Sequence, residues 1–306
     1  MEWKGRRQSK NVEDQRGKSG GGLALGGGLG GVGIIIVIIF TLLGGGDLGD
    51  VLNSTTSTNT ATENYTPTAE DEELADFVSV VLADTEDVWR EVFKKNGLTY
   101  EEPTLVLFTN SVATGCGNAT SAVGPFYCPG DQKLYIDLSF YQELKNQFNA
   151  PGDFAMAYVV AHEVGHHVQY LLGTSTKVSK QQRQVSKTEA NALSVKLELQ
   201  ADYYAGVFAH HNKEYLDQSD FSEAIKAASA IGDDTLQKQA QGYAVPESFT
   251  HGTSAQRMKW LERGYQYGDL QHGDTFSASD FYYGNGVCLI RQPYFFASFN
   301  ISCRSC

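Results

Sequence analysis

Apolar residues recur at helical spacing from Leu74 onward: Phe77, Val78, Val81, Leu82, Val88, Trp89, Val92 and Phe93 share one face of a helix that stops before Gly97. Two shorter stretches follow another period. "PTLVLFTN" (103–110) and "QKLYIDLSF" (132–140) read as strands, the second alternating Leu134, Ile136 and Leu138 with Tyr135 and Asp137. Beyond Pro151 the helical period returns and predicts helices over about 153–172, 184–211, 219–231 and 254–267. Strands first and helices after predict an α+β fold, mostly helical with a small sheet, rather than a doubly wound one.

One run is apolar throughout. Leu23 to Leu43 holds 21 residues without a charge, and as a helix it reaches about 30 Å, the thickness of a bilayer core. The segment before it carries six Lys/Arg against three acidic residues, and Asp47 and Asp50 follow. That asymmetry predicts a single transmembrane helix with a cytoplasmic N-terminus and the bulk of the chain outside. A cleaved signal peptide is the weaker alternative, because the leading arm is long and no A-x-A site follows. The chain then divides into a basic cytoplasmic arm (1–22), the transmembrane helix (23–43), a flexible Gly/Ser/Thr/Asn-rich linker (44–70), a folded domain (71–277) and a tail (278–306). Sequons occur in the linker at Asn53 and Asn64. The tail, with Cys288, Cys303 and Cys306, carries no assignable role. Gly28, Gly30 and Gly33 fit G-x-G-x-x-G, but no buried strand precedes them, so no dinucleotide site is read there.

Composition narrows the partners. A net charge of −12 excludes nucleic acid as an expected partner, since phosphate binding needs a basic face. Cys116 and Cys128 flank a Gly-rich loop. On the outer side of a membrane they are expected to form a disulfide, with two buried free thiols as the alternative.

The chemistry sits in "AYVVAHEVGHHVQYLLG", 157–173, where histidines interrupt an apolar helix. His162 and His166 are one turn apart and share a face, so both imidazoles can hold one tetrahedral Zn²⁺. Glu163 lies beside that face as a general base, completing H-E-x-x-H. His167 points elsewhere and reads as packing or hydrogen bonding. "KLELQADYYAG" (196–206) offers Glu198 as the third ligand, and Asp202, one turn on, to accept the other ring N–H of a ligand histidine. Glu189 competes with Glu198 for the third position.

With these motifs in place, the chain resembles the thermolysin-like gluzincin branch of zinc peptidases. It is closer still to the bacterial neutral zinc metallopeptidase family, through Trp3 to Arg16, "GPFYCP" (124–129), "HEVGHHVQ" (162–169), "ELQADYYAG" (198–206) and "HGTSAQR" (251–257). The family often has Cys where Tyr203 stands, so no thiol role applies there. The resemblance implies a zincin-like domain that binds one zinc ion and cleaves peptides or proteins. It also implies that His251 stabilises the oxyanion by its position, with Arg257 bracing that segment or a substrate carboxylate. The expected location is the bacterial inner membrane, with the catalytic domain periplasmic or extracellular. The strand 132–140 is the expected upper edge of the cleft, available to pair with an extended peptide. Two rival functions use the same residues: zinc hydrolysis of a non-peptide amide, and a catalytically idle metal-bound scaffold or binding module.

Overall fold

The long apolar helix begins with a capping box. Thr68 accepts from the Asp71 amide, and the Asp71 carboxylate accepts from the Thr68 amide. This helix, α1 (Ala69–Lys95), buries the stripe read from the sequence, from Phe77 to Phe93. In this computed structural model residues 1–18, 65–217 and 219–277 are described. The apolar run 23–43, the Gly28–Gly33 motif, both sequons, most of the expected linker and the tail 278–306 lie outside the described residues. Among the described residues no helix is long and apolar enough to cross a membrane.

A four-stranded sheet has the order β1 (Val12–Asp14), β2 (Thr104–Phe108), β6 (Lys133–Asp137), β5 (Phe126–Cys128). The first three strands run parallel, and β5 is antiparallel to β6 at the free edge. A hairpin, β3 (Ser111–Thr114) and β4 (Gly117–Thr120), stands apart from it. Leu105, Leu107, Leu134 and Ile136 face the main core, while Val106, Phe108 and Tyr135 join a second cluster on the other side. Burial on both faces explains the nearly unbroken apolar run of β2. The strand expected to border the cleft, β6, is interior; the edge belongs to β5. That expectation is corrected, because β6 uses both of its edges for β2 and β5.

Helices make up most of the remainder: α2 (Phe140–Asn146), α3 (Asp153–Leu171), α4 (Thr174–Gln182), α5 (Lys187–His211), α6 (Asp220–Ala230), α7 (Asp233–Gln241) and α8 (Ser254–Tyr267). The described chain is thus mostly helical with a small sheet, an α+β architecture. Helices α5 and α8 run in backbone contact, since a Cβ on Gly264 would stand 1.9 Å from the Tyr203 carbonyl oxygen.

Residues 1–18 form part of this body, which corrects their reading as an arm separate from the domain. β1 pairs Val12 with Leu105. Arg6 Nη2 lies 2.6 Å from Asp84 Oδ1, Arg7 Nη1 lies 2.8 Å from Glu86 Oε2, and Asn11 donates to Glu86 Oε1 at 2.9 Å. Two of the basic residues that suggested a membrane flank, Arg6 and Arg7, pair with carboxylates buried on α1. Gly17 and the Tyr65 ring are neighbours, so the described chain stops and resumes at one place.

Candidate metal centre

Helix α3 crosses α5 where both carry their polar residues. Gly165, the glycine of H-E-V-G-H, sits at the crossing: a Cβ there would lie 3.0 Å from the Ala201 carbonyl oxygen and 3.1 Å from its Cα. The missing side chain lets the helices close up. His162 and His166 from α3 and Glu198 from α5 then converge, one donor atom from each within 4.8 Å of the others.

His162 Nε2 is 3.2 Å from Glu198 Oε2, and His166 Nε2 is 3.5 Å from Glu198 Oε1. Ligand atoms about 2.0–2.1 Å from a tetrahedral zinc stand roughly 3.4 Å apart, so these separations suit one ion. Glu198 is buried, and its Oε1 has no hydrogen-bond partner. Burial alone drives the Glu198 carboxyl upward, but the facing His166 and His162 rings reverse this and hold it well below its ordinary value. A buried carboxylate whose two oxygens each face an imidazole nitrogen, one of them without a hydrogen bond, fits a bound divalent cation.

The nitrogens behind the ligand atoms are also served. Asp202 Oδ1 lies 2.9 Å from His162 Nδ1, and Gln169 Oε1 lies 3.0 Å from His166 Nδ1. Both acceptors place the ring proton on Nδ1 and leave the Nε2 lone pair for a metal. Asp202 also accepts from Tyr158 at 2.6 Å and from Arg257 through Nε at 2.9 Å and Nη2 at 3.0 Å. Burial opposes ionisation of Asp202, yet Arg257 and His162 bring its carboxyl down to about 2. Arg257 is therefore committed to the helix α5 carboxylate rather than to a substrate carboxylate.

Glu163 is buried beside the ligands, where burial pushes its carboxyl up against the pull of both imidazoles. His251 precedes α8 in a loop clasped by Asp233, whose Oδ2 accepts from the amides of Thr250, His251 and Gly252 at 2.8, 2.6 and 2.9 Å. Its Nδ1 faces Thr250 Oγ1 at 3.0 Å and Asp233 Oδ1 at 3.3 Å, while Nε2 is buried without a partner. Glu189 is no ligand: it closes an exposed capping box with Ser186 at the start of α5. His167 is buried on the far side of α3, where it hydrogen-bonds Tyr127 and Glu101.

His162, Glu163, His166, Glu198, His251 and Arg257 all line one cavity of about 220 Å³. Phe126 and Tyr127 of β5 and the β3–β4 hairpin form another part of its wall. Cys116 in the hairpin turn and Cys128 at the end of β5 form the expected disulfide, with Cα atoms 5.9 Å apart. It ties the hairpin to the edge strand. Gln169, Asp233, Tyr158 and Tyr127 do not stand out in the sequence. Gln169 leaves a signal three residues after His166 on the same helix, and Tyr127 falls inside the GPFYCP stretch of the family resemblance.

The chain is 48% identical over 288 residues to the uncharacterized protein YpfJ of Escherichia coli K12, covering 91% of this chain and all of that protein. It is 46% identical over 194 residues to the uncharacterized protein Rv2575 of Mycobacterium tuberculosis H37Rv, covering 59% of this chain and 64% of that one. No solved structure matches it. Over residues 1–276 the chain belongs to the family described as "Putative neutral zinc metallopeptidase".

Proposed function

We propose that the protein is a zinc-dependent peptidase, with His162, His166 and Glu198 holding one ion and Glu163 acting as the general base. When bound there, zinc supplies a Lewis acid that polarises a carbonyl and acidifies water. Glu163, beside the two ligand histidines, takes a proton from the attacking water and carries it to the leaving nitrogen. His251 Nε2, buried and unpartnered at the cavity wall, donates to the oxyanion as it develops. Asp233 orients that ring, and Asp202 with Arg257 fixes His162. An extended peptide or protein substrate pairs with the free edge of β5.

One observation carries the proposal: the Glu198 carboxylate is buried, its Oε1 has no hydrogen bond, and its two oxygens face the Nε2 atoms of His162 and His166. We extend the proposal to location. The run 23–43 attaches the protein to the bacterial inner membrane, and the 71–277 domain works on the periplasmic or extracellular side. Glu163→Gln tests the chemistry. The variant is expected to retain zinc and lose cleavage of a peptide library; cleavage at the wild-type rate removes Glu163 from the reaction.

A further inference from the structure

We propose that His167 and Tyr127 form a positioning pair that fixes the edge strand β5 against α3, and so sets where a bound peptide lies relative to Glu163. The inference rests on the peptidase reading and names residues that this reading does not use.

His167 is fully buried, next in the chain to His166 but turned away from the cavity. Its Nε2 lies 2.7 Å from the Glu101 carbonyl oxygen and its Nδ1 lies 3.0 Å from the Tyr127 hydroxyl. A carbonyl only accepts, so Nε2 carries the hydrogen, and Nδ1 of the neutral ring accepts from the Tyr127 hydroxyl. The ring is wedged among Tyr100, Tyr127 and Tyr170, with centroids 5.8, 5.3 and 6.5 Å away. It has one orientation.

Tyr127 is the middle residue of β5, paired with Leu134 of β6, and it lines the cavity. Glu163 lines the same cavity. One residue therefore faces the cavity that holds the base and grips α3 through its hydroxyl. Helix α3 presents the ligands and the base on one side and grips the strand from another. Packing alone would need only an aromatic ring at 167. The directional Nδ1–hydroxyl bond ends on the edge strand that lines the cavity beside the base.

Losing that bond frees β5 to shift against Glu163, and a displacement near 1 Å at a reacting geometry costs up to about a hundredfold in rate. Tyr127→Phe deletes only the hydroxyl. It is expected to lower kcat/KM about tenfold, mainly through kcat, with zinc content and Tm at wild-type values. Asn and Leu are nearly isosteric, and only Asn offers an acceptor near the Nδ1 position. His167→Leu should match Tyr127→Phe, His167→Asn should recover part of the loss, and Tyr127→Phe with His167→Leu should add nothing further. A second readout needs no catalysis: amide exchange over residues 124–130 in the metal-stripped full chain should speed up in Tyr127→Phe while α1 stays protected.

Wild-type kcat/KM and wild-type β5 exchange in Tyr127→Phe would overturn the positioning pair and leave the peptidase reading standing. Equal activity in His167→Asn and His167→Leu would also overturn it. A wild-type protein that loads zinc but cleaves no peptide would overturn the proposed function instead, and β5 exchange would still decide whether the clamp exists.

Discussion

Asp202 stands one helical turn after Glu198, with its Oδ1 2.9 Å from Nδ1 of His162. Helix α5 therefore supplies both the carboxylate facing the metal side of the cluster and the one behind a ligand ring. Arg257 closes on the same carboxylate from α8, so three helices meet at one buried charge pair.

Asp202→Asn keeps the shape and removes the charge. Loss of such a partner behind a ligand histidine typically costs 10–100-fold in metal affinity. Zinc competition with a calibrated chelator should show a weakening in about that range. Asp202→Ala strands the buried Arg257, and chemical denaturation should show a loss of about 3–5 kcal/mol.

His251→Ala should leave zinc content unchanged and KM little altered while lowering kcat about 10²–10³-fold, the usual cost of one oxyanion donor. Steady-state kinetics on a single peptide separates the two parameters. A fall in KM-linked binding alone would place His251 in substrate binding.

Asp233 makes the loop before α8 pH-sensitive. Burial raises its carboxyl, but hydrogen bonds from His251 and the neighbouring amides outweigh this and hold it below its ordinary value of 3.8. A carboxylate depressed on folding contributes stability that is present above its unfolded value and lost as pH falls through its folded one. Wild type should therefore exceed Asp233→Asn in Tm at pH 7, with the gap closing below about pH 4. A constant gap from pH 7 to 3 would contradict the assignment.

The ligands and the base are legible in the sequence because their geometry is local. Spacing of four residues on one helix fixes His162 against His166, and again Glu198 against Asp202, whatever the rest of the fold does. Asp233 is not legible, since its reach to Thr250, His251 and Gly252 depends on a loop returning past the start of α7. The edge strand has no signature of its own, since Phe126–Cys128 is three residues long and too short to show a period, and only the GPFYCP resemblance marks it as a strand. The helix over Thr174–Gln182 leaves no apolar stripe because its residues are mostly polar and bury only Val178. The N-terminal residues read as a separate arm because charge beside an apolar run resembles a membrane flank, and nothing local announces that Glu86 lies beneath Arg7.

Those N-terminal contacts make a prediction of their own. Glu86 is buried and accepts from Arg7, Ser9 and Asn11. Removing residues 2–18 strips these three donors, leaves Arg90 Nη2 at 3.6 Å as the remaining cation beside it, and should destabilise the domain by roughly 3 kcal/mol. Gln8 is exposed beside these contacts. In intact cells, a membrane-impermeant thiol reagent should label Gln8→Cys from the same side as a cysteine placed on the exposed face of the domain. Labelling from opposite sides would mean that β1 leaves the sheet in the membrane-attached protein.

The most direct measurement is anomalous diffraction at the zinc edge from crystals of the purified full chain. The account predicts one strong peak about 2.0–2.2 Å from Nε2 of His162, Nε2 of His166 and a carboxylate oxygen of Glu198. A zinc-replete protein with no peak among these three side chains, or with its peak elsewhere, would contradict it.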